Sequence, residues 1–328
     1  MCELTMGANS KIEWCDHTFN PWEGCTKVSP GCARCYAERR NQRFAGGANW
    51  GAGAPRRLRG AAYWKQPKKW ELAFIKVHNA WKVSRGMRDG SEFGSEPRRP
   101  RVFCASLADV FDEEVPDSWR DQLFETIYAC NFLTWMLLTK RPEKMLAYLE
   151  GTSGAATNLM PGGCFDHVWV GVSVEDQQRA DERIPQLLAI PARVRFVSCE
   201  PLLGPVALTR VDFGPQPNTP QSALTPIFMG RYDAKIDWVI CGGESGPISR
   251  PMHPDWARSL RDQCQAAGVP FFFKQWGEWL PACQYRAGYN ERRRANAKHT
   301  FDSTNESWRV GKRAAGRQLD GRTHDEFP

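Results

Sequence analysis

The sequence predicts an α/β fold, a partial or full (β/α) barrel of the TIM type with about six or seven parallel strands. Three observations point there. From residue 101 onward, short runs rich in β-branched and aromatic residues alternate with longer amphipathic runs. The short runs are apolar throughout rather than at every second position, as in strands covered by helices on both faces. Polar and charged residues gather just after these runs, where a parallel barrel keeps its chemistry.

In order, KIEWC (11–15) is expected as the first strand, followed by a cysteine-bearing loop and a short helix over CYAERRNQRF. At about 45–100 the chain leaves the barrel as an insertion, with two Gly/Arg-rich stretches around a helix, WELAFIKVHNAWKV. RVFCAS is the second strand and DSWRDQLFETIYAC the helix after it. FLTWMLL is the third, and its helix, RPEKMLAYLE, carries proline in the first turn, where a missing N–H is tolerated. HVWVGVSV is the fourth, followed by a helix over EDQQRADERIPQLLAI. VRFVSC and IDWVICG are the fifth and sixth, separated by a proline-rich stretch at 212–235. The helix HPDWARSLRDQCQAAG ends at Gly268, a residue type that accepts a left-handed helix terminus, and VPFFFKQW closes the series. The barrel is thus expected over 1–285, and 286–328 as a basic C-terminal extension.

Bulk composition bounds the function classes. A hydrophobic content of 41% with 25% charged residues is that of an ordinary globular protein. No run approaches the ~18 apolar residues of a membrane helix. The opening MCELTMGANSKIEW lacks the basic and apolar regions of a signal peptide, so a cytoplasmic protein is expected. The net charge of +7 is concentrated in clusters at Arg39–Arg40, Arg56–Arg59, Lys65–Lys69, Arg98–Arg101, Arg286–Lys298 and Arg309–Arg322. Tryptophan and tyrosine alternate with several of them, a pattern suited to single-stranded or flipped-out nucleic acid. A solvated surface with arginine stems over apolar area is the plainer account.

The expected strand ends carry an unusual polar set. Asp16, His17 and Asn20 follow the first, Ser106 and Asp109 the second, and Thr139, Lys140 and Arg141 the third. Ser173 and Glu175 follow the fourth, Cys199 and Glu200 the fifth. Cys241, Gly242, Gly243 and Glu244 follow the sixth, and Lys274, Gln275 and Trp276 the last. Helix caps explain Ser106 and Ser173. They do not explain Lys140–Arg141, Glu200 and Glu244 together, whereas a polar ring at a barrel mouth does.

Three thiols stand in eleven residues: Cys25, Cys32 and Cys35, spaced C-x6-C-x2-C. The other cysteines whose surroundings are apolar read as small hydrophobes. For the three, free loop cysteines are one reading. A second is a structural zinc with His17 or Cys15 as fourth ligand, although zinc sites usually show two CxxC-like pairs and only one is present. A third is a [4Fe–4S] cluster with one iron left open. An open iron that chelates S-adenosylmethionine allows reductive cleavage of its C–S bond to a 5′-deoxyadenosyl radical.

IEWCDHTFNPWEGCTKVSPGCARCYAE, VSCEPLLGPV, IDWVICGGESGP, GVPFFFKQWG and the closing RVGKRAAGRQLDGRTHDEFP resemble the phage-associated three-cysteine-motif proteins over nearly the whole chain. That family looks like a divergent branch of the radical S-adenosylmethionine enzymes. The resemblance implies an iron–sulfur cluster on Cys25, Cys32 and Cys35, S-adenosylmethionine as cofactor, and an electron donor such as a flavodoxin or ferredoxin. A separately encoded partner protein is a further expectation. Two departures stand out. The superfamily's usual spacing is C-x3-C-x2-C, and its Gly-Gly-Glu stretch ends the second strand, whereas Gly242-Gly243-Glu244 ends a later one. Asp109 is then the alternative for the cofactor's amino group, with Glu175 also at the mouth. A nucleic-acid substrate, with DNA base repair or modification first, would stack on Trp22 or Trp276 and place phosphate on Lys140, Arg141 or Lys274. Glu200 and Lys274 are candidate catalytic residues, and Cys199 or Cys241 candidate hydrogen-atom donors. The competing reading is a metal-stabilised nucleic-acid-binding or partner-binding protein without radical chemistry.

Overall fold

The computed structural model describes residues 10–86, 95–151, 159, 162–163, 165–214, 220–230, 232–285 and 295–328. Strands β1 (His17–Thr18), β2 (Trp22–Glu23) and β3 (Arg57–Leu58) enclose the cysteine loop and helix α1 (Tyr36–Ala45). Helices α2 (Ala61–Trp64) and α3 (Gln66–Gly86) complete the insertion. The repeating part runs β4 (Arg101–Cys104), α4 (Asp117–Ala129), β5 (Thr134–Thr139), α5 (Pro142–Gly151), β6 (Val168–Ser173), α6 (Gln177–Leu188) and β7 (Val194–Cys199). After a short pair, β8 (Ile227–Phe228) and β9 (Asp233–Ala234), come β10 (Trp238–Gly242), α7 (Pro254–Ala267) and β11 (Phe271–Gln275). The chain closes with β12 (Trp279–Pro281), β13 (Lys298–Thr300), β14 (Glu306–Arg309) and α8 (Lys312–Ala315).

Seven strands form one parallel sheet in the order β1-β4-β5-β6-β7-β10-β11, curled into a half-barrel with helices between strands. The expected α/β barrel class is therefore present. The first strand differs from expectation. Residues 11–15 form a turn, with Cys15 N–H donating to the Ile12 carbonyl, and the strand is only His17–Thr18. Asp16 explains the shift: it accepts from the Arg101 N–H at 2.8 Å and from Arg98, fixing the start of pairing with β4. That frees Trp14 to turn inward onto Phe103, 4.6 Å between ring centroids.

The side-chain alternation of strands sorts the interior into two layers. Phe103, Met136, Phe196, Trp238, Ile240 and Phe272 face the lumen with Trp14. Val102, Trp135, Val170, Val197, Cys199, Val239, Cys241 and Phe273 face the helices. Gly171 is required by this packing, since a Cβ there would sit 2.6 Å from the Phe196 ring. Helix α6 starts at Asp176, whose carboxylate accepts from the Arg179 N–H at 2.9 Å.

The C-terminal part does not extend away from the barrel. β12, β14 and β13 form an antiparallel sheet, and α8 packs on β12. At the far end Phe327 lies against Trp238 and Phe272 below the lumen, with the Arg101 guanidinium 3.4 Å from its ring centroid. Residues 286–294 of the expected extension lie outside the described residues. Among the described residues no helix is long and apolar enough to cross a membrane.

Candidate active site

The three cysteines lie on one side of a cavity of ≈180 Å³ at the C-terminal ends of the strands. Its floor is the apolar lumen, reached at Trp14, Phe103 and Leu138. Its walls bring in Lys140, Ser173, Ser198, Glu200 and Lys274 from the ends of β5, β6, β7 and β11, and Tyr36 from the start of α1. Lys140 Nζ donates to Ser173 Oγ at 3.1 Å, and Lys274 stands 3.2 Å from Glu200 Oε1. A second recess of ≈440 Å³ shares Cys35, Tyr36, Lys140 and Lys274 and adds Lys11, Arg34 and Lys312 toward solvent.

Buried ion pairs hold the cysteine loop. Arg141 donates to Cys25 Sγ (3.7 Å), to the Thr26 carbonyl (2.8 Å), and to both Asp109 and Asp112 (3.1 Å each). Asp112 accepts from the Thr26 N–H at 2.8 Å, and Arg56 bonds both Asp112 and Thr26 Oγ1. Farther along the loop, Glu175 accepts from the Gly31 N–H at 3.1 Å and pairs with Arg183 at 2.9 Å. Burial alone would raise the Glu175 carboxyl; Arg183, then Lys140, outweigh it and hold it below the usual range. Arg250 donates to the Pro30 carbonyl and is itself fixed by Glu244.

The sequence-predicted residues thus divide. Cys25, Cys32, Cys35, Lys140, Glu200 and Lys274 meet at the cavity. Asp109, Glu175 and Glu244, expected at the cofactor's amino group, are also near it, and their carboxylates are engaged in the framework of the loop. Asp109 accepts from Thr139, Arg141 and the N–H groups of Phe111 and Lys140. Gly242 and Gly243 are explained by close packing: a Cβ would meet Glu200 at 2.4 Å and the Trp276 carbonyl at 2.1 Å. Arg141, expected at phosphate, lines the cavity, is 4% exposed and is shared by two aspartates.

Cys199 and Cys241, expected as hydrogen-atom donors, lie away from the cavity lining. Both face the helix layer beside Cys264, are fully buried, and burial holds their thiols well above the usual value. Trp22 and Trp276, expected as stacking platforms, are core residues at 0% and 1% exposure, and the Trp276 indole donates to the Gln318 carbonyl. In the basic cluster Arg56–Arg59, Arg56 is buried onto Asp112, while Arg57 and Arg59 pair with Glu23 and stay partly exposed.

Sequence reasoning passed over Asp112, Arg56, Arg183, Arg250 and Tyr36. Asp112 had one signal, its place three residues after Asp109 in ASLADVFDE. Arg56 and Tyr36 meet partners 56 and 70 residues away, and the Arg183–Glu175 and Arg250–Glu244 pairs, eight and six residues apart, exceed the three- or four-residue spacing at which helical side chains pair.

The loop tests which metal group fits. Burial pushes the Cys25 thiol up to about 12 and raises Cys35, so neither is a nucleophile without a metal to stabilise its thiolate. The fourth zinc ligands considered from the sequence do not line the cavity. His17 stacks on Trp70 at 4.3 Å, and the Cys15 thiol bonds Ser10 Oγ. Among the described residues no three His, Cys, Asp or Glu side chains converge on one ion. Cys25, Cys32 and Cys35 all line the cavity, and cysteine thiolates are the ligands that hold iron–sulfur clusters.

Fold and site together define a parallel α/β half-barrel with a three-cysteine loop over its C-terminal mouth. The chain belongs to the family described as "Protein of unknown function (DUF5131)", whose match spans residues 9–328. Among curated proteins none matches the sequence. Among solved structures it is similar to spore photoproduct lyase complexed with dinucleoside spore photoproduct, at 10% identity and a TM-score of 0.37, covering 95% of this chain and 74% of that one.

Proposed function

We propose that the protein is an iron–sulfur enzyme of the radical S-adenosylmethionine type acting on nucleic acid, with DNA base repair or modification as the reaction class. One observation carries the reading: three thiols of a single loop edge the barrel-mouth cavity, and neither candidate fourth ligand lines it. Cys25, Cys32 and Cys35 would hold a [4Fe–4S] cluster, which with S-adenosylmethionine supplies one-electron cleavage of the cofactor's C–S bond. A small electron carrier such as a flavodoxin or ferredoxin belongs to the same reading, as do a cytoplasmic setting and kinship with phage-associated three-cysteine-motif proteins.

The chain's own residues supply binding and exclusion of water. Arg141 holds Cys25 and Thr26 in place, and Glu175 and Arg250 hold Gly31 and Pro30. The aromatic floor of Trp14 and Phe103 keeps water from reaching the cavity from below. Lys140 and Lys274 put two cations at its wall, and Lys11, Arg34 and Lys312 add positive charge outside. That distribution suits a phosphate-bearing substrate. The Glu200–Lys274 pair is the group at the cavity able to hold or move a proton.

Anaerobic reconstitution followed by EPR of the reduced protein, with and without S-adenosylmethionine, tests the reading. The expected result is a [4Fe–4S] signal that changes on adding the cofactor, with 5′-deoxyadenosine formed in the presence of DNA. One zinc and no iron after reconstitution would overturn it in favour of a metal-stabilised binding protein.

A further inference from the structure

We infer that a single-stranded nucleic acid runs outward from the cavity along the face made by α1 and β3, held by arginines that Glu23 organises. This rests on the nucleic-acid reading above and adds the strand's path to it. Helix α1 begins at Tyr36 on the cavity wall, so positions 36, 40 and 44 lie on one helical face leading away from the site. All three are exposed, Phe44 at 67% and Tyr36 at 55%. Arg40 and Arg43 stand 5.4 and 5.2 Å from the Phe44 ring centroid. An exposed phenylalanine between two guanidiniums, near a cavity mouth, is a poor surface for water and a good one for a base.

Beside it lies a second feature that points to an anion. The Glu23 side chain, 3% exposed, receives Arg40 at 2.5 Å, Arg59 at 2.6 Å and Arg57 on its other oxygen. Three guanidiniums around one carboxylate leave excess positive charge, and their side chains stay 44%, 28% and 46% exposed. Each gives Glu23 one of its nitrogens, and a guanidinium carries five N–H donors. Glu23 thus fixes the arginines in orientation while their outer edges meet solvent, an arrangement suited to successive phosphates. β3 presents Leu58 on the same exposed segment, 39% exposed, between Arg57 and Arg59.

The test is fluorescence anisotropy of the full-length protein with labelled single-stranded DNA and RNA of equal length across a salt series, with light scattering on the same samples. Arg43→Ala and Phe44→Ala leave the Glu23 cluster intact; Arg57→Ala removes one of its arms. The double variant is expected to weaken binding about tenfold, the loss of one stacked base and one phosphate contact. Arg57→Ala is expected to lower the salt slope by about 0.7, the value for one phosphate of a single strand. The DNA and RNA arms show which sugar the strand carries. Wild-type binding that none of these changes alters would overturn this path alone. Absence of binding to either strand by the wild type would overturn both it and the nucleic-acid reading. A dimer that the double variant dissolves would assign the face to a second copy of the chain instead.

Discussion

Asp112 shows how much of this site depends on single buried charges. Its side chain and that of Arg56 are both at 0% exposure, and Arg141 joins them from the other side. Such a cluster is costly to bury, and removing one member strands the others without a partner. Asp112→Ala is therefore expected to destabilise the fold by about 3–5 kcal/mol, read by urea denaturation. Cys25→Ser differs, because the thiol is neutral in the metal-free protein: the fold should persist and iron uptake on reconstitution should fall. Glu23 gives a pH signature. Burial would raise its carboxyl, but the Arg57 hydrogen bond and the charges of Arg59 and Arg57 outweigh it and lower it. A carboxylate lowered on folding adds stability that is complete above its unfolded value near 4.5 and is lost as pH falls through the folded value. Glu23→Gln should flatten the acid side of a Tm-against-pH curve, and an unchanged acid side would reject the Glu23 cluster as its source.

At the scale of elements, strand alternation decides which residues reach the chemistry. In β7, Phe196 and Ser198 face inward and Cys199 outward; in β10, Ile240 and Gly242 face inward and Cys241 outward. Gly171 in β6 makes room for Phe196 to cross the lumen. Gly171→Ala should cost about 1–3 kcal/mol through overpacking, and adding Phe196→Leu should recover part of it. Failure of the second change to recover stability would place the strain elsewhere. The order of elements from 101 to 276 was legible in the sequence, because apolar runs and amphipathic runs differ in period. The first strand was not. Trp14 and Cys15 are apolar like strand residues, but they serve as a plug inside the barrel, and periodicity does not separate the two.

For the whole molecule, the C-terminal segment packs under the barrel. The Trp238 indole donates to the Glu326 carbonyl at 2.8 Å, and Phe273 N–H donates to the His324 carbonyl. Deleting residues 324–328 should lower stability by about 1–3 kcal/mol, through lost apolar burial at Phe327 and these bonds, with the change seen in Tm. Charge behaves as a property of the whole as well. The clusters that read as an open basic groove are partly consumed by Glu23, Asp16 and Asp112, because an arginine near the surface pairs with whatever carboxylate the fold brings within reach.

By itself the sequence determined the fold class, the place of the three-cysteine loop and the presence of Lys140, Glu200 and Lys274 at strand ends. These follow from local hydrophobic period and from the fact that a parallel barrel gathers its strand ends on one side. Only the tertiary structure decided which carboxylates face the cavity and which brace the loop. Asp109, Glu175 and Glu244 look equivalent along the chain, yet each is engaged by an arginine in the folded protein. Burial makes that pairing obligatory, since a charge withdrawn from water needs an opposite charge or hydrogen bonds. The partner is chosen by distance in space, which the order of residues does not record.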